Sequence, residues 1–429
     1  MIKIFEYKKD FRKIEKLIEY TSDIKSDIED LIRKIIEDVK KNGDTALLKY
    51  TKRFDKVNLN KKELLVTKDE INNAVKNVDK EFLKILKEAK RNITKYHKRG
   101  VAKGFIYEDG NGVKLGKIVR PIESLGIYIP GGKAVYPSSV LMNVIPAQIA
   151  GVKNIYVASP PDTQKRINKY ILSACYILNI REIFKMGGAQ AIAAFAYGTE
   201  TIPRVDKIIG PGNVYVSFAK RIVYGDVDID IIAGPSEVVV IADDSSNPDY
   251  IASELLAQAE HDENARAICL TISKNVAYQI NEKIKTQMKI LSRKEIIRKS
   301  LRNNGAIIIA DNLNVCADLV NRIAPEHLQV SIRNPNKILS YIKNAGAIFL
   351  GKYSPVAVGD YYAGPNHTLP TGGSARFSSP LSVNDFLKAS SIVYYSRKRL
   401  KKVSRSISRF ALLEGLDAHA NSVNIRIKG

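Results

Sequence analysis

Apolar residues recur at helical spacing through residues 24–39 and again through 71–93, between charged faces, so the first hundred residues read mainly as helix. From about residue 101 the period shortens. Residues 113–119 are strand-like, and 126–130 form a short apolar run ended by Pro130-Gly131-Gly132. A regular texture follows: strand 155–158, helix 168–178, strand 183–186, the pair Gly187-Gly188 and an alanine-rich helix at 189–197. Strand 205–209 then runs into Gly210-Pro-Gly-Asn213 and a helix to about Val223. Short strands alternating with helices of about ten residues specify βαβ units around a parallel sheet.

The alternation resumes after Gly234-Pro-Ser236. Strand 238–242, helix 249–260, strand 267–272 and a charged helix at 276–291 lead to strand 306–309 and helix 314–323. Strands at 328–331 and 347–350 continue it. Residues 351–380 are rich in Gly, Pro, Ser and Asn, too long and polar for a simple connector; loops of that length are usually functional or disordered, and the packed Gly-Asp, Gly-Pro-Asn-His and Thr-Gly-Gly clusters favour functional. A helical tail closes the chain. At about 150 residues per domain, 429 residues accommodate two or three domains. Two α/β units with helical ends are the economical arrangement, and no repeat of fixed period appears.

Composition narrows the class. Hydrophobic residues make up 45% and charged residues 26%, as in soluble globular proteins. No run approaches the roughly 20 apolar residues of a membrane span, and the N-terminus alternates charge too quickly for a signal peptide. Cys175, Cys269 and Cys316 form no C-x-x-C pair and read as buried thiols in a reducing cytoplasm. The net charge of +23 raises nucleic-acid binding. That charge is spread along helical stretches such as 33–41, 76–99 and 283–302, with no RNA-binding aromatic motif or zinc-finger spacing, so solvated faces are the better reading.

Of five histidines, four sit in compact polar segments: Gln258-Ala-Glu-His261, Glu326-His327, Gly364-Pro-Asn-His367 and Glu414-Gly-Leu-Asp-Ala-His419. Histidine titrates nearest neutrality and is the commonest metal ligand. Gln258 and His261, three apart on a helix, share a face. With Asp360 and His419 they could form a four-ligand N/O site suited to a catalytic zinc. Glu326 and His327, adjacent at a turn, could address two different protons. The glycine turn at 130–132 follows a strand, and those at 187–188 and 210–213 open helices, whose N-termini bind anions well. They favour a nucleotide in the middle region, though no G-x-G-x-x-G fingerprint is present, and tight βα turns explain each one equally well.

Taken together, these segments resemble the histidinol dehydrogenase family, the NAD-dependent enzymes that end histidine biosynthesis. The resemblance runs in order through Tyr128-Ile-Pro-Gly-Gly132, Tyr136-Pro-Ser-Ser-Val-Leu-Met142, Gly187-Gly-Ala-Gln190, Gly210-Pro-Gly-Asn213, Ala233-Gly-Pro-Ser-Glu237, Gln258-Ala-Glu-His261, Ala324-Pro-Glu-His327, Gly359-Asp360, Ala363-Gly-Pro-Asn-His367, Leu369-Pro-Thr371 and Glu414-Gly-Leu-Asp-Ala-His419. It spans the chain from about residue 20 to the end.

The resemblance implies a four-electron oxidation of L-histidinol to L-histidine through L-histidinaldehyde, with two NAD+. It implies that Gln258, His261, Asp360 and His419 hold one Zn2+ per subunit, with the substrate's amine and imidazole nitrogen in the open positions. His327 would be the base for the alcohol proton, and Glu326 would activate the water that attacks the aldehyde. Ser236, His367 and Glu414 would join the zinc ligands and His327 around the substrate; Tyr128, Gln190 and Asn213 would contact NAD.

The implied fold is two Rossmann-like α/β domains with incomplete dinucleotide-binding topology, plus helical N- and C-terminal extensions. The expected division is an extension at 1–25, a discontinuous catalytic and metal domain at 26–127 and 238–380, an inserted NAD domain at 128–237, and a dimerisation tail at 381–429. A cytoplasmic homodimer with shared active sites follows, with neither nucleic acid nor membrane as a partner. Glu414 and His419 would act across the interface, and 392–413 would be a dimer arm. A zinc hydrolase and a basic nucleic-acid-binding protein are the alternatives.

Overall fold

The computed structural model describes residues 2–19, 26–131, 135–232 and 234–428. Gly132, Ala233 and residues 20–25 of the expected N-terminal extension lie outside them. In chain order the helices are α1 (Phe11–Ile18), α2 (Ser26–Tyr50), α3 (Lys68–Lys76), α4 (Lys80–His97), α5 (Pro137–Ala150), α6 (Lys169–Ile177), α7 (Gly188–Tyr197), α8 (Val214–Val223), α9 (Pro248–Ala259), α10 (Lys274–Met288), α11 (Lys294–Asn304), α12 (Leu313–Ile323), α13 (Arg397–Leu413) and α14 (Asp417–Asn424). The helical pattern at 71–93 is broken in two by Asp79, whose carboxylate caps α4 by accepting from Phe82 N at 2.6 Å.

Three sheets organise these helices. A five-stranded parallel sheet contains β4 (Ser124–Tyr128), β5 (Asn154–Ser159), β6 (Ile183–Lys185), β7 (Lys207–Ile209) and β8 (Asp228–Ile229), in the order β6-β5-β4-β7-β8. A six-stranded parallel sheet runs β1-β11-β10-β9-β12-β13, with β1 (Lys3–Glu6), β9 (Glu237–Ala242), β10 (Arg266–Thr271), β11 (Ala306–Ile309), β12 (His327–Ser331) and β13 (Ala347–Leu350). The third is antiparallel: β2 (Phe105–Glu108), β3 (Val113–Pro121) and β14 (Leu387–Tyr395), in the order β14-β3-β2. Both parallel sheets are covered on two faces, which is why β9 and β10 are buried at every position and read as continuous apolar runs.

Two packing details differ from the expected division. Lys3–Glu6 is the edge strand of the six-stranded sheet, paired in parallel with Ala306–Ile309, and α1 packs on the same sheet through Ile14 and Ile18. Helices α2, α3 and α4 pack on the five-stranded sheet: Ile35, Val39 and Leu47 on one face, Ile71, Leu86 and Ile93 on the other. Residues 26–97 thus lie on the sheet proposed to bind NAD. The tail also opens with a strand. Ile392-Val-Tyr-Tyr395 is β-branched and aromatic, favours extended backbone, and pairs with Val113 to Gly116.

Candidate active site

The strand order of the five-stranded sheet reverses between β4 and β7, and ligands gather beyond the carboxyl ends of strands at such a point. A cavity of about 360 Å3 opens there. Pro130 beyond β4 and Gly210 to Asn213 beyond β7 form one wall. Ser236, Glu326 and His327, at the start of β9 and β12, form the other. The cavity thus joins the carboxyl edge of one sheet to the amino edge of the other.

At the amino edge, one residue holds two others. The main-chain amide of Glu237 donates to Glu326 Oε2 at 2.9 Å, and its carbonyl oxygen lies 3.0 Å from His327 Nδ1. A carbonyl can only accept, so Nδ1 carries a proton and Nε2 is the nitrogen turned toward Asp360 Oδ1, 3.6 Å away. Among the described residues, His327 Nε2 has no hydrogen-bond partner. Glu237 is itself pinned: its buried carboxylate pairs with Arg266 at 3.0 Å.

Burial raises the Glu326 carboxyl to about 7, against the lowering pull of His327. For His327, burial acts downward, but the carboxylates of Glu326 and Asp360 outweigh it and carry the imidazole up to about 9. Desolvation by the surrounding protein holds His261 and His367 below the ordinary histidine range, although His261 keeps an exposed edge. Asp360 sits in a π-helical turn, Gly359–Ala363. Burial acts upward on its carboxyl, but the neighbouring histidines hold it below its usual value. Neutral imidazoles and an ionised carboxylate are the protonation states that a metal ion requires of its ligands.

Among the described residues, no three His, Cys, Asp or Glu side chains converge closely enough to bind a metal by themselves. The placement explains this. His261 and Asp360 line the cavity, and Gln258 lies buried one turn before His261 with its amide nitrogen unpartnered. His419 and Glu414 stand exposed on the α13–α14 hairpin and do not line the cavity.

Other expected residues divide similarly. Ser236, Asn213 and His367 line the cavity, with His367 held between Ser139 Oγ at 3.2 Å and the Asp360 carbonyl oxygen at 2.9 Å. Tyr128 and Gln190 lie outside it, around the N-terminus of α7, where the Tyr128 hydroxyl accepts from Gly188 N at 3.3 Å. Asn213 caps α8.

Sequence reasoning missed Ser139, Thr371, Lys220 and Asp230, all in the lining. Lys220 and Asp230 form an ion pair, their side chains both 2% exposed, that grips a single residue: Lys220 Nζ donates to Gly210 O at 3.1 Å, and Gly210 N donates to Asp230 Oδ2 at 2.8 Å. Gly210 adopts φ +113°, and a Cβ there would collide with the Tyr128 carbonyl oxygen, so only glycine fits. A lysine in the apolar run of α8 and an aspartate between isoleucines were the available signals.

The histidinol dehydrogenase family profile matches residues 19–427. A histidinol dehydrogenase from Clostridium acetobutylicum is 52% identical over 397 residues, 92% of each chain. One from Bacillus cereus is 49% identical and covers 99% of this chain and 98% of its own. The crystal structure of histidinol dehydrogenase from Elizabethkingia anophelis superposes with a TM-score of 0.94 at 39% identity, covering 100% of this chain and 98% of that one.

Proposed function

The chain belongs to the histidinol dehydrogenase family, and from that premise we propose that it oxidises L-histidinol to L-histidine through L-histidinaldehyde, passing one hydride to each of two NAD+. The observation that carries the reading is the Glu237 peptide, which orients a general base and a carboxyl group side by side at one end of the cavity.

His327, with Nδ1–H held by the Glu237 carbonyl, takes the alcohol proton on Nε2 as the first hydride leaves, acting in its neutral form once Nε2 has given up its own proton. Glu326, raised toward neutrality by burial, takes a proton from the water that adds to the aldehyde. The resulting hydrate gives up the second hydride and becomes the acid. Ser236 and His367 contact the substrate, and Asn213, Tyr128 and Gln190 contact NAD. Gln258, His261, Asp360 and His419 would hold zinc, whose Lewis acidity supports loss of the alcohol proton.

His419 and Glu414 reach a cavity only if a second chain presents them, so the working form is a homodimer with shared sites. The antiparallel sheet and α13 expose Phe105, Ile106, Val393, Phe410 and Leu413, apolar surface of the kind a partner covers. No described helix is long and apolar enough to cross a membrane. The cysteines are buried and unpaired, in keeping with a reducing cytoplasm.

Purified protein mixed with L-histidinol and NAD+, followed by nicotinamide absorbance, tests the reading. We expect about two NADH per histidinol, as two successive two-electron oxidations require. Chelation should abolish the activity and Zn2+ restore it. Zinc-loaded protein that makes no NADH from histidinol would refute the assignment.

A further inference from the structure

Asp55 has no part in the reaction as described so far. It ends the π-helical turn Thr51–Asp55 that extends α2, and Lys56 closes the turn in the left-handed region at φ 60°. The turn delivers a half-buried carboxylate to the N-terminus of α7, at the carboxyl edge of the five-stranded sheet. Gln190 Nε2 donates to Asp55 Oδ2 at 3.4 Å. A Cβ on Gly187 would stand 3.0 Å from Asp55 Oδ1, so the absent side chain there leaves room for the approach. Among the described residues no lysine or arginine pairs with Asp55, and burial pushes its carboxyl up to about 6.

Its surroundings hold other unused polar atoms. Ser159 Oγ, at the end of β5, and Gln190 Oε1 belong to residues 0% and 1% exposed, yet neither has a hydrogen-bond partner among the described residues. Pro160 ties the group together by packing against both Gly187 and Gly131. Tyr128 connects it to the cavity: its hydroxyl accepts from Gly188, and its main chain abuts Gly210. The cluster is therefore continuous with the wall that faces the reacting groups.

In open α/β sheets that bind a dinucleotide, a carboxylate at the end of the second strand takes the hydroxyls of the adenosine ribose. Here the second strand of the sheet, β5, ends in Ser159-Pro160-Pro161, and the acid that follows, Asp162, is engaged by the main-chain amides of Gln164 and Arg166 and by the Arg166 guanidinium. Asp55 brings another to that edge from a helix packed on the outside. We propose that Asp55 selects the cofactor, its carboxylate accepting hydrogen bonds from the adenosine ribose hydroxyls and repelling a phosphate at the 2′ position. The proposal rests on the NAD reading above.

Two measurements separate the proposal from that reading. Calorimetric titration with adenosine 5′-monophosphate and with adenosine 2′,5′-bisphosphate probes the subsite without turnover. Wild type should prefer the monophosphate, and Asp55→Asn should weaken it about tenfold or more, the usual loss for a hydrogen bond to a charged group. The kcat/KM preference for NAD+ over NADP+ should fall by a similar factor. A thermal melt checks folding, and Asp55→Ser replaces any variant that does not fold. Monophosphate affinity unchanged in the variant, or absent in wild type, overturns the proposal. Failure to make NADH from histidinol while the monophosphate still binds would instead count against the reaction and leave the subsite standing.

Discussion

His327 Nδ1 lies 3.0 Å from the main-chain oxygen of Glu237, one strand away, and that single contact decides which nitrogen of the ring meets the cavity. The partner is a backbone atom, so no side-chain substitution at position 237 removes it directly. The parallel register that sets His327 beside Val238 is what places the ring.

The two hydride steps should separate genetically. His327→Ala should lower kcat by roughly 10²-fold or more, the usual worth of a positioned general base. Glu326→Gln keeps the acceptor for the Glu237 amide but loses proton affinity. It should slow the second oxidation more than the first, so that NADH per histidinol falls below two and a carbonyl reagent traps aldehyde. Equal slowing of both steps would place the water-activating group elsewhere.

If the site is shared, two inactive variants should rescue each other. His327→Ala and His419→Ala, each inactive alone, are unfolded together and refolded as a mixture. Random pairing in a two-fold dimer should then return about a quarter of wild-type activity. No recovery, with mixed dimers present by mass, would mean that His419 serves its own subunit or none.

Lys220 and Asp230 act as a clamp on Gly210, so breaking one side should be worse than removing both charges. Lys220→Met leaves a buried carboxylate unpaired and should cost about 3–5 kcal/mol in denaturant unfolding. The double variant with Asp230→Asn, whose amide oxygen still accepts from Gly210, should recover most of that. In both, KM for NAD+ should rise more than KM for histidinol, because the loop faces the cofactor side.

His97 is the histidine without a task in the reaction. It is 4% exposed, its Nε2 has no partner among the described residues, and burial lowers its pKa to about 4. The unfolded chain binds a proton below about 6.5 that the folded chain refuses. Stability is therefore full above about 6.5 and is lost as the pH falls toward 4, by up to about 3 kcal/mol. His97→Leu should flatten this acid limb in urea melts at pH 4.5 and 7. An unchanged pH dependence would show that the ring finds a proton acceptor.

Much of the architecture could be read from the chain because its central strands are buried on both faces. Strands 306–309 and 347–350 coincide with the observed ones, and helix 314–323 begins one residue late. What could not be read is long-range. Lys3-Ile-Phe-Glu6 is too short and too charged to announce a strand until Ala306–Ile309 lies beside it. Helix α11 reads only as part of one helical stretch over 283–302, because its dominant polar face gives no sign of the break after α10. In the site, Ser236, His261, Glu326, His327, Asp360 and His367 stand together on one cavity. Lys220, Asp230 and Asp55 were passed over because their significance lies in what surrounds them. A lone lysine in an apolar helix face or an acid at a helix end is ordinary until its neighbours are known.

The cavity unites strand ends of opposite direction, and this bears on how one pocket can perform two oxidations. On the proposed assignment the five-stranded sheet carries the wall that meets the nucleotide, while the six-stranded sheet carries His261, Glu326, His327 and Asp360 on the other side. Spent nicotinamide can leave and fresh nicotinamide enter along the first wall while the aldehyde stays on the second. The two walls make the pocket a turnstile for the oxidant and a holding cell for the intermediate.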